Sequence, residues 1–327
     1  MALPQPELPY TYLIREAKEG GIMAQYLVLD IGGTFIKYAI MDRKGQFIKQ
    51  GKVTTNTESE DAMLTSLEGV RAAVEDYDYE GVAISMPGRI DTAAGIAHTG
   101  GAFTWVHDYP AAEKYGAVFG KPCTIANDGK CAASAENWIG ALSDVNSGVV
   151  LVLGTGIGGG IVINNEVWMG ASGGAGELSA FITDHEGVKN GLGWGNIGIM
   201  WASHISAGSI TGKYGALKGI EKADGIMLFD AYEAGDPIAR DVLKTFGEEA
   251  AAGIASLQSV LDVERYAIGG GISARPETTQ IIKDAVDALF DPYVDFLPYG
   301  KPEIVTCKFG NEANLIGALA FHLQARK

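Results

Sequence analysis

Asp30 and Asp128 each close an apolar run at a point where the chain turns, and glycine-rich turns recur beside runs of the same kind. Three such turns stand out: Asp30-Ile31-Gly32-Gly33-Thr34, Gly154-Thr155-Gly156 and Gly269-Gly270-Gly271, entered from Leu27-Val28-Leu29, Val149 to Leu153 and Tyr266-Ala267-Ile268. Lacking a Cβ, a glycine turn lets backbone N–H groups come close to a phosphate. Three in one chain suggest several segments meeting on one polyphosphate, and the ligand reads as a nucleotide. Asp128 follows the short strand expected over 123–127, beside Asn127, where strand ends in open α/β folds meet ligands. A carboxylate there can take the proton of a hydroxyl that attacks a phosphoryl group. It can equally cap the helix that begins near Gly129. Thr34 and Thr155 can donate hydroxyls to phosphates or simply finish their turns, and Lys37 can reach phosphate or point to solvent.

The residues after each turn separate the known phosphate motifs. No stretch reads G-x-x-x-x-G-K-[ST], so there is no Walker loop. Gly154-x-Gly156-x-x-Gly159 satisfies the dinucleotide fingerprint, with Glu177 at a tolerable distance for a ribose carboxylate, but that fingerprint requires a helix next. Here a strand comes next. Gly160 to Ile163 and Glu166 to Met169 flank Asn164-Asn165, a hairpin signal. The first turn likewise leads through Thr34 to Met41 into a second strand and then Phe47 to Val53, an antiparallel meander. The device of strand, glycine turn and strand thus occurs in both halves.

The positioning elements can be read from periodicity and punctuation. Leu64, Leu67, Val70 and Val74 predict an amphipathic helix over 61–76, succeeded by a strand over 81–86 that ends in Pro87-Gly88. The strand 123–127 leads into a helix over 130–139. Asp236-Pro237 is a cap with proline at the first helical position, opening a helix toward Val260. A strand over 265–268, a helix over 276–290, a strand over 303–308 and a helix over 311–323 complete an α/β chain with a mixed sheet.

The 327 residues suffice for two domains, and 47% hydrophobic with 20% charged residues is an ordinary globular composition. The 45 glycines, roughly twice the average usage of about 7%, mean frequent tight turns. A net charge of −15 argues against a nucleic-acid or anionic-membrane surface. Cys123, Cys131 and Cys307 are an odd set without C-x-x-C spacing, which predicts reduced thiols in the cytoplasm. No apolar run reaches the roughly 18 residues of a membrane span. Residues 1–22, with Pro4, Pro6 and Pro9, have no signal-peptide core. They are expected to be an extension outside the fold, with Met23 as an alternative start.

Taken in order, Asp30-Ile31-Gly32-Gly33-Thr34, Pro87-Gly88, Ala126-Asn127-Asp128, Gly154 to Gly160, Gly176-Glu177, Gly269-Gly270-Gly271 and Gly310-Asn311-Glu312-Ala313 resemble the ROK family of sugar kinases, from about residue 25 onward. The resemblance implies an actin-like (ribonuclease-H-like) ATPase fold, two lobes with the active site in the cleft between them. The first lobe would be 23–131 with 311–327, the second 132–310. It implies ATP-dependent phosphorylation of a sugar hydroxyl, the 6-OH of a glucose-type sugar or β-glucoside, with Asp128 as general base. Asp30 would orient the Mg2+ of Mg-ATP through water, although a turn aspartate can instead bond its own backbone. Gly32, Gly33, Thr34, Gly154, Thr155 and Gly156 would bind the phosphates, and Gly269, Gly270 and Gly271 the adenosine side. Gly88, Asn127, Asp128 and Glu177 would bind the sugar. N-acetylmannosamine kinase and glucokinase are alternatives within the family, a non-catalytic sugar-binding regulator the alternative outside catalysis. The expected partners are a sugar and ATP, with no nucleic acid or membrane, in a chain compatible with a homodimer.

Two departures from the family pattern bear on the sugar. Where the family continues Gly-Glu into Gly-His and a Cys-rich zinc loop, this chain has Ser179-Ala180 and no cysteine over 185–200, so zinc is not expected. His185 and His204 read as surface or packing residues. The asparagine that precedes a tryptophan in relatives is replaced within Ala102-Phe103-Thr104. Small residues there leave room, and Phe103, Trp105, Trp194 and Trp201 offer sugar-stacking faces or core packing. The expected substrate is a larger or aryl-substituted glucoside.

Overall fold

A computed structural model describes residues 24–326; the extension expected over residues 1–22 lies outside them. Residues 24–138, 165–175 and 312–326 form one compact unit, and residues 139–164 with 176–311 form another.

In the first unit, β1 (Gln25–Ile31), β2 (Phe35–Asp42) and β3 (Phe47–Thr54) make the antiparallel meander read from the sequence. After α1 (Glu60–Ala73), β4 (Gly81–Met86) pairs in parallel with β1, and β8 (Cys123–Asn127) in parallel with β4. The sheet order is β3-β2-β1-β4-β8. Burial reflects position: β4 is buried at every residue as a central parallel strand, whereas β3 alternates half-buried and exposed as an edge. Helix α1 starts where Ser59 accepts from the Ala62 amide, with Glu60 and Asp61 in its first turn, and buries Met63, Leu67 and Val70. β5 (Ile90–Asp91), β6 (Ile96–Thr99) and β7 (His107–Tyr109) form a small second sheet ahead of α2 (Ala111–Phe119).

Helix α3 (Asp128–Ile139) starts directly at the end of β8, two residues before the expected Lys130. It stays with the first unit because it touches the terminal helix, Ala313–Ala325: a Cβ on Gly317 would lie 1.7 Å from the Cys131 carbonyl oxygen. The first unit also takes in 165–175, beyond the segments expected from sequence. Asn137 Nδ2 donates to Asn165 O at 2.7 Å, and Gly173 packs on the Ile90 carbonyl.

The second unit repeats the plan. β9 (Gly148–Leu153) pairs antiparallel with β10 (Ile157–Ile163) and parallel with β12 (Arg265–Gly269), which pairs in parallel with β13 (Glu303–Thr306). Within this unit the strand order is β10-β9-β12-β13, and β11 (Glu166–Val167) lies in the 165–175 segment. Asn164 and Asn165 adopt φ of 55° and 61°, the left-handed conformation a two-residue hairpin requires. The longer helices are α4 (Ala207–Lys218), α5 (Gly225–Glu233), α6 (Pro237–Leu261) and α7 (Pro276–Phe290). Asp236 caps α6 by accepting from Ile238 and Ala239, and the helix lays Val242, Leu243, Phe246, Ala250 and Ile254 into the core, an i, i+3, i+4 stripe. Each unit has its own apolar core. No helix among the described residues is long and apolar enough to cross a membrane.

Candidate functional site

In the first unit the two aspartates of interest stand at the carboxyl ends of parallel strands. Asp30 on β1 is in register with Ser85 on β4, and Ser85 with Ala126 on β8. Two strand spacings put the backbones of β1 and β8 about 10 Å apart at this level. Asp30 is 9% exposed, and its carboxylate does not serve as a local turn brace. Oδ1 accepts from Ser85 Oγ and Asn314 Nδ2, each at 3.1 Å, and Oδ2 lies 3.6 Å from Lys37 Nζ. Lys37 therefore pairs with Asp30 across the β1–β2 ladder. The Cys131 thiol is fully buried. Burial first, then the Asp128 and Asp30 charges, push its pKa well above the ordinary value. A thiol in that state is not a nucleophile.

Asn127 settles the capping question left open by the sequence. Its Oδ1 accepts from the Lys130 amide at 3.1 Å, the bond expected of an N-cap. Asp128 Oδ1 instead accepts from the adjacent Gly129 amide at 2.8 Å, and the residue is half-buried. Asn127 is itself buried, and its Nδ2 donates to Gly88 O at 2.9 Å. One bond of each kind thus serves the structure, tying the turn after β4 to the end of β8. Gly88 has φ of +103°, and a Cβ would stand 2.0 Å from Thr99 O, so only glycine fits this turn. Gly32 N closes the first turn on Phe35 O at 3.0 Å, leaving Gly33 and Thr34 exposed.

In the second unit, the Gly154-Thr155-Gly156 and Gly269-Gly270-Gly271 turns leave adjacent strands, with Gly269 opposite Val152. Gly270, at φ +93°, passes so close to β9 that a Cβ would lie 2.2 Å from Leu153 O. Both turns line a cavity of about 660 Å³, whose other walls include Ile210, Thr211, Ile226, Phe229, Ile272 and Arg275. Its volume and apolar walls beside two glycine turns suit a flat base next to a phosphate chain. The Gly154 carbonyl accepts from Ala207 N at 2.9 Å, fixing the start of α4 on the turn. Arg275 is held at the rim by Glu233 at 2.9 Å and by Asp230. Glu177 is exposed at the entry to a short helical turn, and Gly176 before it takes φ +79°.

Of the aromatics considered for sugar stacking, Phe103 and Trp201 are core residues, 1% and 0% exposed. Trp201 donates to Glu249 O at 3.1 Å and packs on Gly253. Trp105 donates to Thr57 O at 3.2 Å and meets Tyr109 edge-on, while Trp194 is 64% exposed. His185 is exposed, and His204 lies 3.7 Å from Glu249. Among the described residues no three or more His, Cys, Asp or Glu side chains gather as a metal site. Sequence reasoning missed Ser85, Asn314 and Ser179. The first two are polar residues at a strand end and a helix start, a weak signal until the partner carboxylate is seen.

The ROK family model matches residues 26–325. A β-glucoside kinase of Klebsiella pneumoniae is 30% identical over 248 residues, covering 73% of this chain and 77% of that protein. A glucokinase of Streptomyces coelicolor is 27% identical over 317 residues, 89% of this chain and 95% of that one. The solved structure of a ROK family protein from Streptococcus pneumoniae in complex with sucrose superposes with a TM-score of 0.81 at 26% identity, covering 92% of this chain and 99% of that one. The fold is therefore the actin-like ATPase fold of ROK sugar kinases, and the chain belongs to the ROK family.

Proposed function

We propose that this chain transfers the terminal phosphoryl group of ATP to a sugar hydroxyl, and that the acceptor is the 6-OH of a glucose-type sugar or a β-glucoside. The observation that carries the reading is the arrangement at the end of β8: Asn127 makes the N-cap bond of α3 to the Lys130 amide, and Asp128, which accepts from the Gly129 amide through Oδ1, stands half-buried at the same strand end. A β-glucoside kinase as a relative supports the acceptor class. The two units are the two lobes of this reading. Asp128 accepts the hydroxyl proton as the sugar oxygen forms its bond to the γ-phosphorus and the bond to ADP breaks, giving sugar phosphate and ADP.

Asp30, Gly32, Gly33 and Thr34 with Gly154, Thr155 and Gly156 serve the phosphates. Gly269 to Gly271 and the apolar cavity serve the nucleoside. Gly88, Asn127 and Glu177 serve the sugar. Asp30 suits Mg2+: it is one buried carboxylate with an oxygen held by two neutral donors, and magnesium takes few protein ligands and keeps its waters. Bound there through water, the ion would neutralise phosphate charge.

The test is a coupled ADP-release assay over glucose, N-acetylmannosamine, fructose, cellobiose and aryl-β-glucosides. A higher kcat/KM for glucose than for every β-glucoside would refute the acceptor assignment, and preference for N-acetylmannosamine would move it within the family. Asp128→Asn should lower kcat by roughly 10²–10⁴ with the fold preserved. Sugar binding without turnover would mark a regulator instead.

A further inference from the structure

We infer that Ser179 is a positioning residue: its hydroxyl straps the Glu177 segment to the first residue of β10, fixing the carboxylate assigned to sugar relative to the turn assigned to phosphate. This rests on the functional reading above. On one side β10 is bonded to β9, with Ile157 opposite Leu153. On the other, β11 is two residues long and joined to the far end of β10 by a two-residue turn, too short to reach Ile157. Ser179 supplies the missing partner. Its Oγ accepts from Ile157 N at 2.9 Å and donates to Ile157 O at 2.5 Å.

A residue in a hydrogen-bonded antiparallel pair presents N–H and C=O on the same side, to one residue of the neighbouring strand. A hydroxyl, both donor and acceptor, can stand in for that residue. Ile157 directly succeeds Gly154-Thr155-Gly156, and a Cβ on Gly156 would meet Ser179 Oγ at 3.3 Å. Three residues before the serine, Gly176 rests on the same strand, where a Cβ would come within 3.1 Å of Gly160 Cα. Glu177 is therefore held between two contacts with β10.

The test compares Ser179→Ala and Ser179→Thr in the full chain, with glucose and phenyl β-glucoside as acceptors. Ser179→Ala should raise the sugar KM about tenfold while changing kcat less than about threefold, because a displaced Glu177 loses binding common to ground and transition states. Ser179→Thr, which keeps the hydroxyl, should restore KM to within about threefold of wild type. Amide hydrogen exchange at Ile157 should speed up in the alanine variant and not in the threonine variant. An alanine variant that loses only thermal stability, with KM and Ile157 exchange unchanged, overturns the inference. If the wild-type chain turns over no sugar, the functional reading fails, and Ile157 exchange still decides whether the strap exists.

Discussion

Replacing Asn127 by alanine cuts two bonds at once, and the worth of each is set by where it lies. The Oδ1 acceptor for the Lys130 amide is a helix cap, worth about 1 kcal/mol, and the Nδ2 donor to Gly88 O is a buried bond of similar worth. Alanine restores neither, so the first unit should lose about 2 kcal/mol. At 2–4 °C per kcal/mol for a unit of this size, Tm should fall by about 4–8 °C. Function should suffer more. Asn127 fixes both the Gly88 turn and the backbone that carries Asp128, and a displacement near 1 Å at a reacting group can cost about 10² in rate. Asn127→Ser keeps a cap but is too short to reach Gly88, so its Tm should lie between wild type and alanine while its kcat/KM stays low. Calorimetric scans and the coupled ADP-release assay read the two effects. An Asn127→Ala protein within about 1 °C and threefold of wild type would refute the argument that this side chain joins the turn to the helix.

His322 should make stability depend on acid. It is buried, bonded to Thr124 Oγ1 at 3.0 Å and edge-on to Tyr26, and burial, then the Arg326 charge, lowers its pKa to about 4. Because the folded value lies below the unfolded value near 6.5, its contribution is complete above pH 6.5 and is lost as pH falls toward 4, roughly 3 kcal/mol in all. Denaturant melts across that range should show a flatter slope for His322→Asn, and parallel slopes would contradict the assignment. Gly270→Ala should cost about 3 kcal/mol or more, since it adds a Cβ 2.2 Å from Leu153 O at φ +93°. Gly271→Ala, whose Cβ meets nothing within 4 Å, should fold normally, and equal urea midpoints for the two would overturn the steric reading. Asp30→Asn keeps an oxygen for Ser85 and Asn314 but removes the charge. It should raise the Mg-ATP KM about tenfold or more in a magnesium titration, and an unchanged KM would remove Asp30 from the nucleotide site.

Much of the framework was legible because its signals are local. The strand over 81–86 and the helix over 276–290 match the structure at both ends. Asp236-Pro237 marked the start of α6 because an N-cap with proline after it is a statement about a few consecutive backbone groups, readable without the rest of the molecule. Asn164-Asn165 marked a hairpin for the same reason. Shorter elements were misjudged at their ends: β13 stops at Thr306 rather than 308, and α3 begins at Asp128 because Asn127 caps it.

By itself, then, the sequence determined the two strand–turn–strand devices and the order of the strands and helices it marked. These depend on neighbours within a few residues. Tertiary structure alone decided what the polar side chains do. Asp30 finds Ser85 and Asn314 at separations of 55 and 284 residues, and Ser179 finds Ile157 across 22. It also sorted the aromatics, sending Phe103 and Trp201 inward and Trp194 to solvent. A hydrogen bond across such separations exists only once the sheets have brought distant strands to one edge, and no periodicity along the chain encodes which strand that will be.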